Sequence, residues 1–142
     1  MTPLTVRSVP LAPRHGSSHH PHAAHTLLEQ ARQGLLDAEY ASRPVDRYAR
    51  AHLSALRAAA AVLAARARPR ARSRPTSAWE LLTVVAPDLA EWSAFFAATS
   101  ATRAAAEAGV ARLVTIRDAD DLVRQAGEFL TLAERAVAGT SR

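Results

Sequence analysis

Apolar residues recur at intervals of three and four through most of the chain, which is the spacing that places side chains on one face of an α-helix. This periodicity predicts five helices, over residues 27–41, 44–68, 78–86, 89–108 and 116–138. No segment alternates between apolar and polar residues as a half-buried strand does. The pattern therefore predicts an all-α protein, an antiparallel up-and-down bundle of about five helices.

Residues between these segments indicate where the helices begin and end. Three hydroxyl residues stand three positions before an acid, which is the spacing of a capping box: Thr26 with Glu29, Ser77 with Glu80 and Thr115 with Asp118. Pro44 predicts the start of the second helix, and Asp88 predicts the start of the fourth. Gly109 predicts the end of the fourth helix.

The composition limits the kinds of functional site that the chain can form. Hydrophobic residues make up 49% of the chain, but Ala is the commonest of them and aromatic residues contribute only 5%. The absence of Cys excludes disulfides, thiolate zinc sites and a cysteine nucleophile. No Gly-rich phosphate loop, metalloprotease motif or Ser/His/Asp arrangement occurs. We therefore expect no metal and no cofactor.

The first 25 residues differ in composition from the rest. They contain four Pro, a Gly-Ser-Ser stretch and five His, and they show no periodicity. We predict a disordered tail over residues 1–25, followed by a helical domain over 26–138. His side chains at such spacing bind Zn²⁺ or Ni²⁺ weakly, but without a carboxylate the tail is better interpreted as an unstructured polar segment.

The excess positive charge lies in one segment. All 18 basic residues are Arg, and five of them fall in a stretch without any acid: Arg66, Arg68, Arg70, Arg72 and Arg74. The remaining 13 Arg balance the 13 Asp and Glu. The Arg-rich loop over 69–76 holds Arg70, Arg72 and Arg74, and together with Arg66 and Arg68 before it these guanidinium groups would bind phosphates with a salt-dependent affinity. A solvated linker is the alternative, and the composition leaves both open.

No segment resembles a membrane span or a secretory leader. The longest apolar run, residues 58–65, is too short to cross a bilayer, and the first residues lack an apolar leader. We expect a cytoplasmic protein with no membrane partner.

The aromatic residues and one His lie at positions that favour packing. Trp79, Trp92, Phe95 and Phe96 are expected to form the main core cluster, with Phe95 near an interface. His52 lies on the apolar stripe of the second helix, so we expect a buried neutral imidazole bonded to a carbonyl or carboxylate. A catalytic role for His52 is the alternative.

Four segments of the helical part resemble a known family. They are residues 46–64 (DRYARAHLSALRAAAAVLA), 77–87, 91–97 and 120–130. The chain resembles a small actinobacterial subfamily of HEPN domains, of unknown activity, over about residues 26–136. The resemblance implies an all-α bundle of four to five helices that is often dimeric. Many HEPN proteins are metal-independent ribonucleases or RNA-binding partners in toxin–antitoxin and defence systems.

Active HEPN proteins carry an Arg, four to six further residues and then a His, late in the domain. That chemistry needs the His to move the proton of a ribose 2′-OH and the Arg to stabilise charge on the phosphate. Arg103 stands where the family's Arg is expected, but no His occurs over residues 104–110. Arg47 and His52 have the spacing, but they lie in the earlier helix.

Three functions are consistent with these patterns. The first is a non-catalytic HEPN module that binds RNA, a nucleotide or a companion protein, with the Arg-rich segment as the anion-binding site. The second is a homodimeric adaptor built on the Ala-rich second helix. The third is a metal-independent ribonuclease that uses Arg47 and His52 across a dimer. We rank them in this order.

Overall fold

Five α-helices and one short 3₁₀ turn make up the described part of the chain. The computed structural model describes residues 21–66, 77–110 and 113–140. The elements are α1 (Pro21–Tyr40), α2 (Pro44–Arg66), α3 (Ala78–Val85), the 3₁₀ turn (Pro87–Leu89), α4 (Ala90–Glu107) and α5 (Ile116–Thr140). No strand occurs within these ranges, so the predicted all-α bundle is confirmed. Residues 1–20 of the predicted disordered tail (1–25) and the Arg-rich loop over 69–76 lie outside the described residues.

Helix α2 is the centre of the bundle, because it contacts each of the other four helices. Many of its buried positions are Ala, including Ala51, Ala55, Ala58 and Ala59, all with no exposed surface. A side chain this small lets a neighbouring helix approach closely, because the distance between helix axes follows the size of the contact residues. Ser54 of α2 also donates a hydrogen bond of 2.6 Å to the Ala31 carbonyl of α1.

The caps predicted at Ser77 and Thr115 are present, and the second is a complete capping box. The Ser77 hydroxyl accepts the Glu80 N–H at 3.2 Å at the start of α3. Before α5, the Thr115 hydroxyl accepts the Asp118 N–H, and the Asp118 carboxylate accepts the Thr115 N–H, both at 3.0 Å. Each bond satisfies a backbone N–H that has no partner within its own helix. The start of α2 at Pro44 is also confirmed.

The end of α4 follows the prediction at Gly109. This residue has a φ of +88°, which an L side chain rarely adopts. Its N–H bonds to the Ala106 carbonyl, and the Val110 N–H bonds to the Ala105 carbonyl. Gly109 therefore ends the helix by turning the chain away from its axis.

The predicted start of the first helix is wrong. Helix α1 begins at Pro21, so residues 21–25 belong to the helical body and not to the tail. Thr26 is inside the helix, where its hydroxyl donates to the His22 carbonyl at 3.0 Å. Proline has a preset φ that suits the first helical position, and Ala24 adds a fully buried side chain to the core.

The predicted cap at Asp88 is also wrong. A 3₁₀ turn over Pro87–Leu89 precedes α4, and the residue before α4, Leu89, makes no side-chain capping bond. Asp88 instead forms a salt bridge of 3.4 Å with Arg66 at the end of α2. Among the described helices, none is both long enough and apolar enough to cross a membrane.

Candidate functional site

His52 is sealed in the core between α2, α3 and α4. Its side chain is 1% exposed, and its Nε2 lies 3.0 Å from the Phe96 carbonyl oxygen. Because a carbonyl can only accept, Nε2 carries the proton that it donates in this bond. The rings of Trp79 and Phe96 meet the imidazole edge-on, each at 5.9 Å between centroids. The predicted buried imidazole, bonded to a carbonyl, is confirmed.

The surroundings of His52 keep it neutral. Burial lowers the pKa of His52 below its ordinary value of 6.5, and the bond to the Phe96 carbonyl opposes that shift. The positive charge of Arg103 lowers the pKa further, whereas Glu107 raises it. The second ring nitrogen, Nδ1, is buried and has no hydrogen-bond partner among the described residues. Both ring nitrogens of His52 are therefore enclosed in the core.

Arg47 does not join His52, although the two share a helix and the expected spacing. Five residues turn an α-helix through about 500°, so the two side chains leave α2 about 140° apart. The Arg47 guanidinium donates to the Glu39 carbonyl at 2.8 Å and to Asp120 at 2.6 Å. Arg47 thus fastens the end of α1 and the start of α5 to α2.

Arg103, on α4, lies near His52 in the folded chain, although the two residues are far apart in the sequence. It is near enough for its charge to act on the pKa of His52, but its guanidinium is paired with Glu107 at 3.1 and 3.3 Å. The other His residues of the described ranges, His22 and His25, are exposed on α1. The His that Arg103 approaches is therefore the buried one, His52.

Of the Arg-rich segment, only Arg66 falls within the described residues. It forms the salt bridge with Asp88 noted above, so one of its guanidinium nitrogens is already partnered. The other proposed anion-binding residues lie outside the described ranges: Arg68, Arg70, Arg72 and Arg74. Within those ranges, no group of three or more His, Asp or Glu side chains could hold a metal ion.

The predicted aromatic cluster forms the core around His52. The Trp79 and Phe96 rings are stacked at 5.1 Å, and Phe129 from α5 lies 5.2 Å from Phe96. Trp92 completes the group at 5.9 Å from Phe129. These rings fill the centre of the bundle rather than a ligand site, as the sequence predicted.

A second feature, which the sequence analysis missed, is a cleft between α2, α4 and α5. Its volume is about 280 Å³, and its walls include Tyr48, Phe95, Thr102, Asp118 and Gln125. Burial raises the pKa of Tyr48. Hydrogen bonds from the Thr102 and Thr99 side chains lower it and so reduce this shift in part, and the phenol stays protonated at neutral pH. The sequence predicts only a capping role for Asp118. Its patterns give no signal for a cleft that forms where three separate helices meet.

The hydrogen bonds at the start of α5 also set the charge of this cleft. The Thr115 backbone N–H and then the Thr115 hydroxyl lower the pKa of Asp118 below its ordinary value of 3.8. The carboxylate is therefore ionised at neutral pH.

Most of the described helical region matches a known protein family. The model of the SAV_6107-like HEPN family matches residues 38–134, from the end of α1 to the last turns of α5. The chain belongs to the SAV_6107-like HEPN family. The resemblance seen in the sequence is thereby confirmed, and the HEPN match contains Arg47, His52 and Arg103. Comparison with curated proteins and with solved structures gives no significant match.

Within this HEPN domain, both Arg47 and His52 make structural contacts. His52 packs in the aromatic core with its Nε2 bonded to the Phe96 carbonyl, and Arg47 joins three helices.

Proposed function

We propose that this HEPN domain is a non-catalytic module that acts by binding. The observation that carries the proposal is the burial of His52, at 1% exposure and bonded to the Phe96 carbonyl. A general base must come within hydrogen-bond reach of the proton that it removes. To reach a ribose hydroxyl, His52 would have to leave Phe96 and open the stacked core of Trp79 and Phe96.

The binding surface that we propose for RNA is the Arg-rich segment. Its five Arg supply the local excess of positive charge over an otherwise balanced chain. Guanidinium groups bind phosphates through paired hydrogen bonds, and such contacts give salt-dependent affinity with little sequence preference. HEPN proteins of toxin–antitoxin and defence systems suggest the setting, in which a companion protein would also bind.

RNA binding is tested with a labelled single-stranded RNA and fluorescence anisotropy across a range of salt concentrations. The triple variant Arg68→Ala, Arg70→Ala and Arg72→Ala should weaken binding and flatten its salt dependence. Each lost phosphate contact changes the slope of log K against log[salt] by about 0.7 for a single strand, so three should change it by about 2.

The matched control is the triple variant Arg43→Ala, Arg50→Ala and Arg135→Ala. These three residues are exposed and lie outside the Arg-rich segment, and the control removes the same net charge. An equal loss of affinity in both triple variants, or binding that does not respond to salt, would reject the segment as the RNA site.

A homodimeric adaptor is the second candidate, and exposed apolar side chains favour it. Tyr40 is 86% exposed at the end of α1, and Ile116 is 68% exposed at the start of α5. Large apolar side chains at the surface are typical of contacts with another protein. Light scattering at micromolar concentration should then give a dimer that Ile116→Asp converts to a monomer. A monomeric wild-type chain would eliminate this candidate.

A further inference from the structure

Five of the side chains that line the cleft between α2, α4 and α5 can accept a hydrogen bond, and two of them, Asp118 and Thr99, have no proton to donate into it. The Thr99 hydroxyl donates its proton to the Phe96 carbonyl at 3.0 Å, so it presents only lone pairs to the cleft. The Asp118 carboxylate accepts the Thr115 N–H through Oδ2, and the residue is exposed to solvent. The Tyr48 and Thr102 hydroxyls and the Gln125 amide complete the polar lining.

Among the described residues that line the cleft, Asp118 is the only charged one. Arg47 of α2 and Arg103 of α4 are bonded to Asp120 and Glu107 instead. The described lining therefore carries one negative charge and would repel an anion such as a phosphate.

One of the apolar residues that line the cleft is aromatic. Phe95 is half-buried, and its ring meets Phe96 edge-on at 5.0 Å. The face of an aromatic ring attracts a cation. A cleft with one carboxylate, several hydrogen-bond acceptors and an aromatic side chain is complementary to an organic cation.

We propose that this cleft binds a guanidinium or ammonium group, with Asp118 as the counter-charge and Phe95 as the ring against which the cation lies. The group would come from the Arg or Lys side chain of a polypeptide or from a small free amine, since both present the same chemistry. This proposal goes beyond the proposed function, because it concerns a different surface and a ligand of opposite charge. RNA binding can fail without affecting it.

The experiment is a titration of the ¹⁵N-labelled full chain followed by NMR. The probes are N-acetyl-arginine amide, its uncharged analogue N-acetyl-citrulline amide, spermidine, uridine monophosphate and a peptide with the sequence of residues 66–75. The arginine probe should shift the amides of Thr102, Asp118 and Gln125, with a dissociation constant of about 1 mM or tighter. Citrulline amide should bind at least about tenfold more weakly, because charge-assisted hydrogen bonds are lost.

Two of the probes distinguish the source of the cation. Tighter binding of the peptide than of the single arginine would indicate a polypeptide, such as the Arg-rich segment of a second copy. Tighter binding of spermidine than of either would indicate a free amine.

Variants separate a specific site from general charge effects. Asp118→Asn keeps an oxygen that can cap Thr115 but loses the charge, and it should weaken arginine binding about tenfold. Asp121→Asn is the matched control, because it removes the same charge from α5 at a residue outside the cleft lining. Gln125→Glu adds a second carboxylate without touching the cap, so it should tighten the arginine probe and repel uridine monophosphate.

Several outcomes would overturn the proposal. They are equal binding of the arginine and citrulline probes, equal loss in Asp118→Asn and Asp121→Asn, and no effect of Gln125→Glu. Absence of shifts at the cleft residues with every cationic probe would also overturn it. Stronger shifts at the same residues with uridine monophosphate would show that the cleft takes an anion, which contradicts the assignment.

Discussion

His52 shows how one polar residue can serve the core of a helical bundle. Its place on the apolar stripe of α2 could be predicted from spacing, and so could a bonded neutral ring. The identity of the acceptor, Phe96, could not be predicted, because it lies 44 positions away on another helix. The same carbonyl also accepts the hydroxyls of Thr99 and Ser100, at 3.0 and 3.1 Å, so it is a shared acceptor between helices.

Acid should destabilise the fold through His52. Its pKa is lowered in the folded state, so the unfolded chain takes up a proton that the folded chain does not. The full contribution to stability is present above the unfolded pKa of about 6.5 and decreases as the pH falls below that value. Urea unfolding at pH 7.5 and at pH 5 should give a lower free energy of unfolding at pH 5.

The His52→Gln variant provides the comparison, because an amide can still donate to the Phe96 carbonyl but does not titrate. The decrease between the two pH values should shrink in His52→Gln and persist in His22→Gln, whose side chain is exposed. An unchanged decrease in His52→Gln would show that His52 is not the titrating group.

At the scale of the helix, two of the three hydroxyl-to-acid spacings predicted a helix start correctly. Ser77 and Thr115 cap real helix starts, those of α3 and α5. Thr26 has the same spacing to Glu29, but the helix-forming residues before it extend α1 back to Pro21. The spacing between a hydroxyl residue and an acid could not distinguish these cases, because it carries no information on whether the preceding residues pack against the core as a further helical turn.

The Thr115 cap should contribute measurably to the stability of α5. Thr115→Ala removes the hydroxyl that accepts the Asp118 N–H and should lower the free energy of unfolding by about 1 kcal/mol. Thr131→Ala is the matched control, because Thr131 is exposed inside α5 and bonds only to the Gly127 carbonyl. Equal losses of unfolding free energy in the two variants, measured by urea unfolding, would show that the Thr115 hydroxyl contributes no more than an exposed hydroxyl inside the helix.

At the scale of the whole molecule, α2 is the element on which the other helices pack. The all-α bundle and the aromatic core could be predicted from periodicity, because each helix carries its own apolar stripe. The cleft could not, because it depends on how three stripes cross. The same limit applies to Arg103, which approaches His52 only after α2 and α4 pack together.

Close packing around α2 predicts that larger side chains will not fit. Ala55→Leu places extra volume at a fully buried position and should lower the free energy of unfolding by about 1–3 kcal/mol. Ala98→Leu adds the same group at an exposed position of α4 and should change stability by less than about 0.5 kcal/mol. Equal effects of the two substitutions would contradict the central position of α2.

The central claim is that this HEPN domain binds without cutting, and an RNA cleavage assay tests it most directly. Purified wild-type chain, His52→Gln and Arg103→Ala would each be incubated with single-stranded RNA in the presence of a metal chelator. The account predicts that the RNA stays intact, or that any residual cleavage is the same in all three preparations. Cleavage by the wild-type chain that disappears in both variants, with their folds intact by circular dichroism, would contradict it.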